Sequence, residues 1–252
     1  MAGELFIYSI GGFFAGIVVF ILGVVWFRQM RLIENIPTSK IRSLAMGISE
    51  IYGKVVPGKQ LLKGPFSGED CIYYKYEIKE LRKTKDTSYW ATIRSGSERA
   101  QFYLKDDTGT VLVEPKGAKI DISKDYEFGS GWGADPPQTV LQFMEANGMH
   151  HESFFGMNKQ MRFMESSIVP GDNLYILGTA GDNPFVEEGT AKNHVEDIMI
   201  HKGENEKFYY ISDSNERDIL GKLRLKAFAG IFGGIALIAG CMAVIFIFTG
   251  ML

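Results

Sequence analysis

Thiols are scarce in this sequence, with two cysteines among 252 residues. Cys241 lies inside an apolar run near the C-terminus, which leaves Cys71 alone in the polar part and excludes a disulfide framework. A lone thiol of this kind suits a reducing compartment, and it offers a labelling handle for deciding which side of a membrane the polar part occupies. Histidine is almost as rare: His150, His151, His194 and His201 are the only ones. Adjacent histidines diverge by about 100° on a helix and point to opposite faces of a strand, so the His150-His151 pair is a poor chelate. No cysteine or further histidine stands at ligand spacing from it. Nor is there a dense Lys/Arg run. The chain has 27 basic and 30 acidic residues and a net charge of −3, which excludes a nucleic-acid partner as a working expectation.

Motifs of covalent and phosphate chemistry are missing too. The densest glycine stretch of the polar part, Gly129-Ser130-Gly131-Trp132-Gly133, lacks the Lys-Ser/Thr ending of a phosphate loop. Its order is wrong for a G-x-S-x-G nucleophile elbow. It reads as a flexible connection, with a lid over a groove as the alternative. The acidic pairs Asp106-Asp107 and Glu187-Glu188 sit in turn-like surroundings, where neighbouring carboxylates are ordinarily solvated. No catalytic residue, cofactor-binding residue or metal ligand is assigned, and no cofactor is implied.

Two stretches lack charge altogether, and these are the most informative absences. Residues 6–27 (FIYSIGGFFAGIVVFILGVVWF) and 227–249 (AFAGIFGGIALIAGCMAVIFIFT) contain no Asp, Glu, Lys or Arg. A helix of about 22 residues covers about 33 Å, enough for a hydrocarbon core of about 30 Å. A lone apolar run of this length satisfies its backbone in lipid only as a helix. The first run is too long for a signal-peptide core, Glu4 precedes it without Lys or Arg, and Arg28 and Arg31 follow it, so it reads as an uncleaved anchor. Each run spaces glycines four apart, Gly12 and Gly16 in the first, Gly230 and Gly234 in the second. Small residues at this spacing let helix backbones approach, within the chain or between copies. Arg28 and Arg31 after the first run, and Lys222, Arg224 and Lys226 before the second, contrast with tails that carry no Lys or Arg. The positive-inside rule then places the polar domain in the cytoplasm of a cell membrane and both termini outside.

Between the runs the apolar period changes to two. Alternating segments at 48–56, 71–80, 100–105, 110–114, 161–168, 174–179, 197–201 and 207–212 read as about eight short strands. Asp106-Asp107-Thr108-Gly109, Pro170-Gly171-Asp172 and Gly203-Glu204-Asn205 read as the turns between successive pairs. One soluble helix interrupts them: Asp135 caps it, Pro136 opens it, Val140, Leu141, Phe143 and Met144 face inward, and Gly148 ends it. A shorter helix is expected over 38–46, capped by Thr38 or Ser39, and Asp213 with Glu216 has capping-box spacing before a helix that runs without a breaker into the second span. The fold class is an integral membrane protein whose two transmembrane helices flank a mainly β, barrel- or sandwich-like soluble domain with an α+β character. The division is a first span at 6–27, a juxtamembrane segment with a short helix at 28–47, a β-rich domain at 48–214, a juxtamembrane helix at 215–226 and a second span at 227–249.

Several segments resemble the GIDE domain, also called the beside-a-membrane (BAM) domain: IPTSKIRSLAMG (36–47), EIYG (50–53), SGEDCIYYKYE (67–77), FYLKDDTGTVLVEPKG (102–117), ESSIVPGDNLYILG (165–178) and FYYISDS (208–214). They follow the family's order between two terminal spans. Well-known members are mitochondrial membrane-anchored ubiquitin or SUMO ligases that add a zinc-binding RING after the second span. A RING needs eight Cys/His ligands; this sequence has six such residues, scattered. The resemblance therefore implies a RING-less relative, of prokaryotic type, working as a membrane-anchored interaction or sensor module without enzymatic activity. The alternative it implies is an E3 ubiquitin ligase-like protein acting with a RING partner. The expected partners are the lipid bilayer, a protein not identified by the sequence, and further copies of the chain through the span glycines.

Overall fold

The computed structural model describes residues 2–131, 134–149, 159–186, 197–204 and 208–249. The chain divides into a helix pair, built from the residues before Thr38 and after Asp213, and a β-rich domain, Thr38–Asp213.

The helix pair consists of α1 (Ala2–Asn35) and, at the other end of the chain, a partner helix over Glu216–Thr249. Their most apolar windows have mean hydropathies of 2.5 and 2.6, yet only 11% and 6% of those windows are buried. A core helix of a soluble protein would be mostly covered; bare apolar surface on two long helices is the state lipid stabilises. α1 stops at Asn35, before Pro37 disfavours the helical conformation of Ile36. The C-terminal helix starts where the Asn215 carbonyl accepts from the Asp218 and Ile219 N–H groups, and Glu216 and Asp218 sit favourably at its positive end. It then runs unbroken into the apolar segment.

In the domain the elements follow in the order β1 (Gly47–Pro57), β2 (Leu62–Lys63), β3 (Asp70–Cys71), β4 (Tyr73–Lys83), β5 (Ser88–Arg99), β6 (Phe102–Lys105), β7 (Thr110–Val113), β8 (Lys119–Asp121), β9 (Tyr126–Ser130), α2 (Gln138–Ala146), β10 (Met161–Ile168), β11 (Asn173–Asp182), β12 (Ile198–His201) and β13 (Tyr210–Ser212). The helix over Glu216–Thr249 is therefore α3. Strands β1, β6, β7, β12 and β11 pair in that order, and β11 returns to β1, closing a five-stranded barrel. All its pairings are antiparallel except β7 with β12. Taken alone, the barrel strands run first-second-third-fifth-fourth, the connectivity of an OB-type barrel. Gly53 marks where β1 passes from β11 to β6: a Cβ there would stand 2.6 Å from the Lys105 carbonyl oxygen. The barrel interior holds Ile51, Val55, Phe102, Leu104, Val111, Val113, Leu174, Ile176, Ile198 and Ile200, all nearly inaccessible, and their alternation along each strand is what closes the sheet around them.

A second sheet, ordered β5-β4-β10-β9, is inserted between barrel strands. Phe66, Ile78, Val140, Met144, Met161 and Phe163 form its core, so α2 lies against it through Val140 and Met144, with Phe143 packed at the rim. α2 begins at Gln138 with Pro137 at the cap position, two residues later than the expected Asp135 cap, and closes at Gly148, whose φ of 64° a side chain would resist. Three further expectations change. The helix expected over 38–46 shrinks to one 3-10 turn, Ile41–Ser43, and Arg28 to Asn35 continue α1. The reason is competition for donors: Ser39 N–H pairs with the Glu50 carbonyl, Ile41 N–H with Asp106, and Arg42 N–H with Thr108. Second, the turn at Pro170-Gly171-Asp172 is no hairpin: it passes the chain from β10 in one sheet to β11 in the other. Third, the segments around Gly203 also do not pair with each other; β12 and β13 lie end to end along one edge of β11.

Candidate functional site

The helix pair is seamed by glycine. A Cβ placed on Gly12 would lie 2.7 Å from Cys241 Sγ, and one on Gly16 would lie 2.8 Å from Ile238 Cγ1. On Gly234 it would meet Phe20 backbone nitrogen at 2.7 Å, and on Gly230 the Gly23 Cα at 2.7 Å. The four glycines singled out by spacing thus all lie between α1 and α3 of one chain. Gly23, which the i, i+4 pattern does not pick out, is the tightest: its Cβ would stand 2.5 Å from Ile231 nitrogen. By contrast Gly11, Gly233 and Gly240 face open space. The antiparallel register continues to both ends of the pair. Phe6 meets Phe248 edge-on at 6.3 Å, and Glu34 bridges Arg31 at 3.4 Å and Arg224 at 3.5 Å. Arg224, a charge marker in the sequence, therefore also ties α3 to α1 at the domain-side end through Glu34, which Arg31 orients from within α1, while Arg28, Lys222 and Lys226 are further helix positions at that end.

Glu50 and Glu165, buried carboxylates of the domain, and the half-buried Asp106 are engaged in holding loops. The Glu50 carboxylate is fully buried and accepts from Thr38 Oγ1 at 2.6 Å and from the Tyr175 hydroxyl at 2.7 Å. Asp106 accepts from Ile41 N, Thr108 N, Thr108 Oγ1 and Gly109 N, and Lys40 pairs with Asp107. Burial opposes ionisation of Asp106, but these donors outweigh it and hold the carboxyl below its usual range. Together these bonds fix the chain where it enters the barrel. The expected solvation of the Asp106-Asp107 pair holds for Asp107 alone, which is 68% exposed. Glu165, 1% exposed, accepts from Phe66 N at 2.6 Å, Ser67 N at 3.2 Å and Ser67 Oγ at 2.6 Å. This bonding sets the Phe66 ring at the centre of four aromatic contacts, with Tyr76, Tyr126, Phe143 and Phe163. Sequence reasoning missed both Glu165 and Phe66. The signal was present: Met161, Phe163 and Glu165 alternate, which puts a carboxylate on the inward face.

Among the described residues, the groups the sequence singled out for their chemistry are buried or already hydrogen-bonded. Cys71 is fully buried, and desolvation, reinforced by the nearby Glu165, Asp70 and Glu98 charges, pushes its thiol up to about 11. It is therefore a poor labelling handle, which removes the use the sequence suggested for it. Gly129 and Ser130 belong to β9 and pair with Arg162 and Met161, so the expected flexible connection is partly strand; Ser130 Oγ donates to the Lys159 carbonyl. Trp132, Gly133, the Glu187-Glu188 pair, His150, His151 and His194 lie outside the described residues. A depression of about 310 Å³ is lined by Tyr52, Asp125, Ser167, Asp172, Asn173 and Asp213 among others. Its aspartates are engaged by backbone: Asp125 by Ser167 N, Asp172 by Val169 N, Asp213 by Ser123 N. Among the described residues no His, Cys, Asp and Glu side chains gather into a metal-binding group. Of the two cysteines, Cys71 is in the domain core and Cys241 in α3.

A family model for the GIDE domain, described as E3 Ubiquitin ligase, matches residues 73–246, from β4 into α3. No curated protein and no solved structure matches the chain.

Proposed function

The chain belongs to the GIDE family, and from that premise we propose that it is a membrane-anchored recognition module, a β-domain whose work is binding a protein partner beside the bilayer and not catalysis. The observation that carries this reading is the engagement of the domain's buried carboxylates and of the half-buried Asp106. Glu50, Asp106 and Glu165 accept bonds from loop backbone and hydroxyls, and the buried thiol is held protonated, which favours a rigid scaffold over a reactive site. Insertion between two spans restricts the domain's orientation and raises its effective concentration for membrane partners. Proximity labelling from the full chain in its native membrane tests it. A reproducible protein neighbour whose labelling is lost when the domain is unfolded by Phe66→Ala supports the reading, and catalytic turnover by the purified chain alone would overturn it.

The family description favours a second reading, participation in ubiquitin-type transfer. Stimulation of ubiquitin discharge from a charged conjugating enzyme by the purified full chain would establish it; the first reading expects none.

The domain is proposed to face the cytoplasm of a cell membrane. Arg28, Arg31, Lys222, Arg224 and Lys226 all lie at the domain-side end of the spans, which supports this orientation. Cys71 being buried, a cysteine at the exposed turn residue Lys85 is the better reporter. Lys85→Cys is expected to react with an impermeant maleimide only after permeabilisation, and labelling of intact cells reverses the assignment.

A further inference from the structure

Strand β5 is the outer strand of the inserted sheet, and among the described residues no strand pairs with its far edge. It is 12 residues long and largely exposed. Edges of this length invite another strand, and proteins ordinarily blunt them with proline, inward charges or bulges. β5 contains no proline, and its single irregularity, beside Ile78 and Lys79 of β4, lies at Ile93 and leaves the stretch from Arg94 to Arg99 regular.

The direction of each backbone group in that stretch follows from one bond. Ala100 N–H donates to the Ile72 carbonyl, towards β4, at 2.8 Å. By the alternation of an antiparallel ladder, the N–H and C=O groups of Ser95, Ser97 and Arg99 then point away from β4, into solvent. All three residues are exposed. An antiparallel partner strand would bond to these groups.

The side chains specify which strand fits. We propose that this edge is a dimerisation surface, on which β5 of a second copy pairs antiparallel across a two-fold axis at Gly96. In that register Gly96 faces Gly96 of the second copy, so no side chain stands on the axis. Ser95 opposes Ser97 of the second copy and exchanges both outward backbone bonds with it, and the symmetry repeats this pair. Arg94 opposes Glu98 of the second copy, also twice, on one face of the joined sheet. Both are exposed at the edge, and Glu98 is already oriented by the Tyr74 hydroxyl at 2.7 Å. The charge order Arg-x-x-x-Glu about a central glycine is self-complementary only under this two-fold relation. The inference goes beyond the recognition reading: it names an assembly, and that reading stands or falls on a different measurement.

The test uses the full chain in lipid nanodiscs or mild detergent, with the dimer fraction read by subunit counting or sedimentation. Wild type is expected to dimerise. Arg94→Glu and Glu98→Arg each set like charges opposite one another twice and are expected to raise the dissociation constant about tenfold or more. The exchange Arg94→Glu with Glu98→Arg is expected to restore it. Ser97→Pro removes an outward N–H without touching the β4 ladder, and is expected to give a monomer with unchanged circular dichroism. A monomeric wild type, a dimer indifferent to Ser97→Pro, or reversals that the double exchange fails to rescue would each overturn the proposal.

Discussion

At Asp106 one side chain accepts four hydrogen bonds, three from its own turn and one from Ile41, and so fastens the incoming chain to the β6–β7 hairpin. Asp106→Ala leaves those donors without their acceptor and is expected to cost about 1–3 kcal/mol of domain stability, measured by denaturant unfolding. The pH dependence follows from the direction of its shift. A carboxyl held below its unfolded value contributes stability that is present above the unfolded pKa of about 3.8 and is lost as pH falls through the folded value. Unfolding midpoints taken from pH 6 down to pH 2 are expected to fall more steeply for wild type than for Asp106→Ala below about pH 4. Cys71 gives a second residue-scale expectation. Burial and a thiol pushed up to about 11 keep it unreactive, so maleimide at pH 7.5 is expected to label it only after denaturation. Rapid labelling of the folded domain would show that the β3 region opens.

Among the elements, the spans offer an internally controlled experiment. Gly23→Leu forces side-chain atoms onto the backbone of α3, whereas Gly11→Leu and Gly233→Leu project into open space. Gly23→Leu is expected to separate the helices and lower detergent stability, and the two controls to leave both unchanged; equal effects would make the glycine seam incidental. Spacing in the sequence exposed Gly12, Gly16, Gly230 and Gly234 but not Gly23, because Gly23 stands seven residues from Gly16 and pairs with a glycine of the other helix. The same limit governed the strands. β1, β10 and β11 were legible because apolar residues recur at alternate positions within each, as at Ile51 and Val55 about Gly53, Met161 and Phe163, and Leu174 and Ile176. β5 was not, since SYWATIRSGSER is exposed on both faces and its alternation slips at the Ile93 irregularity. β9 carries Gly129 and Ser130, loop formers by composition, and is a strand because β10 supplies the ladder. Sequence also marked the Pro170-Gly171-Asp172 turn while leaving open that it joins two different sheets, which is a property of distant pairing and not of the turn.

For the whole molecule, barrel closure could not be read from any one segment, because it depends on β11 reaching back to β1 and on the parallel pairing of β7 with β12, partners far apart in sequence. The loop-anchoring carboxylates Glu50 and Glu165 escaped notice for the same reason: their donors come from other parts of the chain. One consequence of this topology concerns force. β1, by which the chain enters, and β13, by which it leaves, both pair antiparallel with β11, on its opposite edges, and so run parallel to each other. Tension applied at Thr38 and Asp213 pulls the start of β1 and the end of β13 in opposite directions along β11. The ladders are then loaded in shear, all rungs at once, and not peeled rung by rung. Pulled by optical tweezers from these two points, the domain is expected to rupture at a markedly higher force than when pulled across the Lys105–Thr110 hairpin, which opens as a zipper.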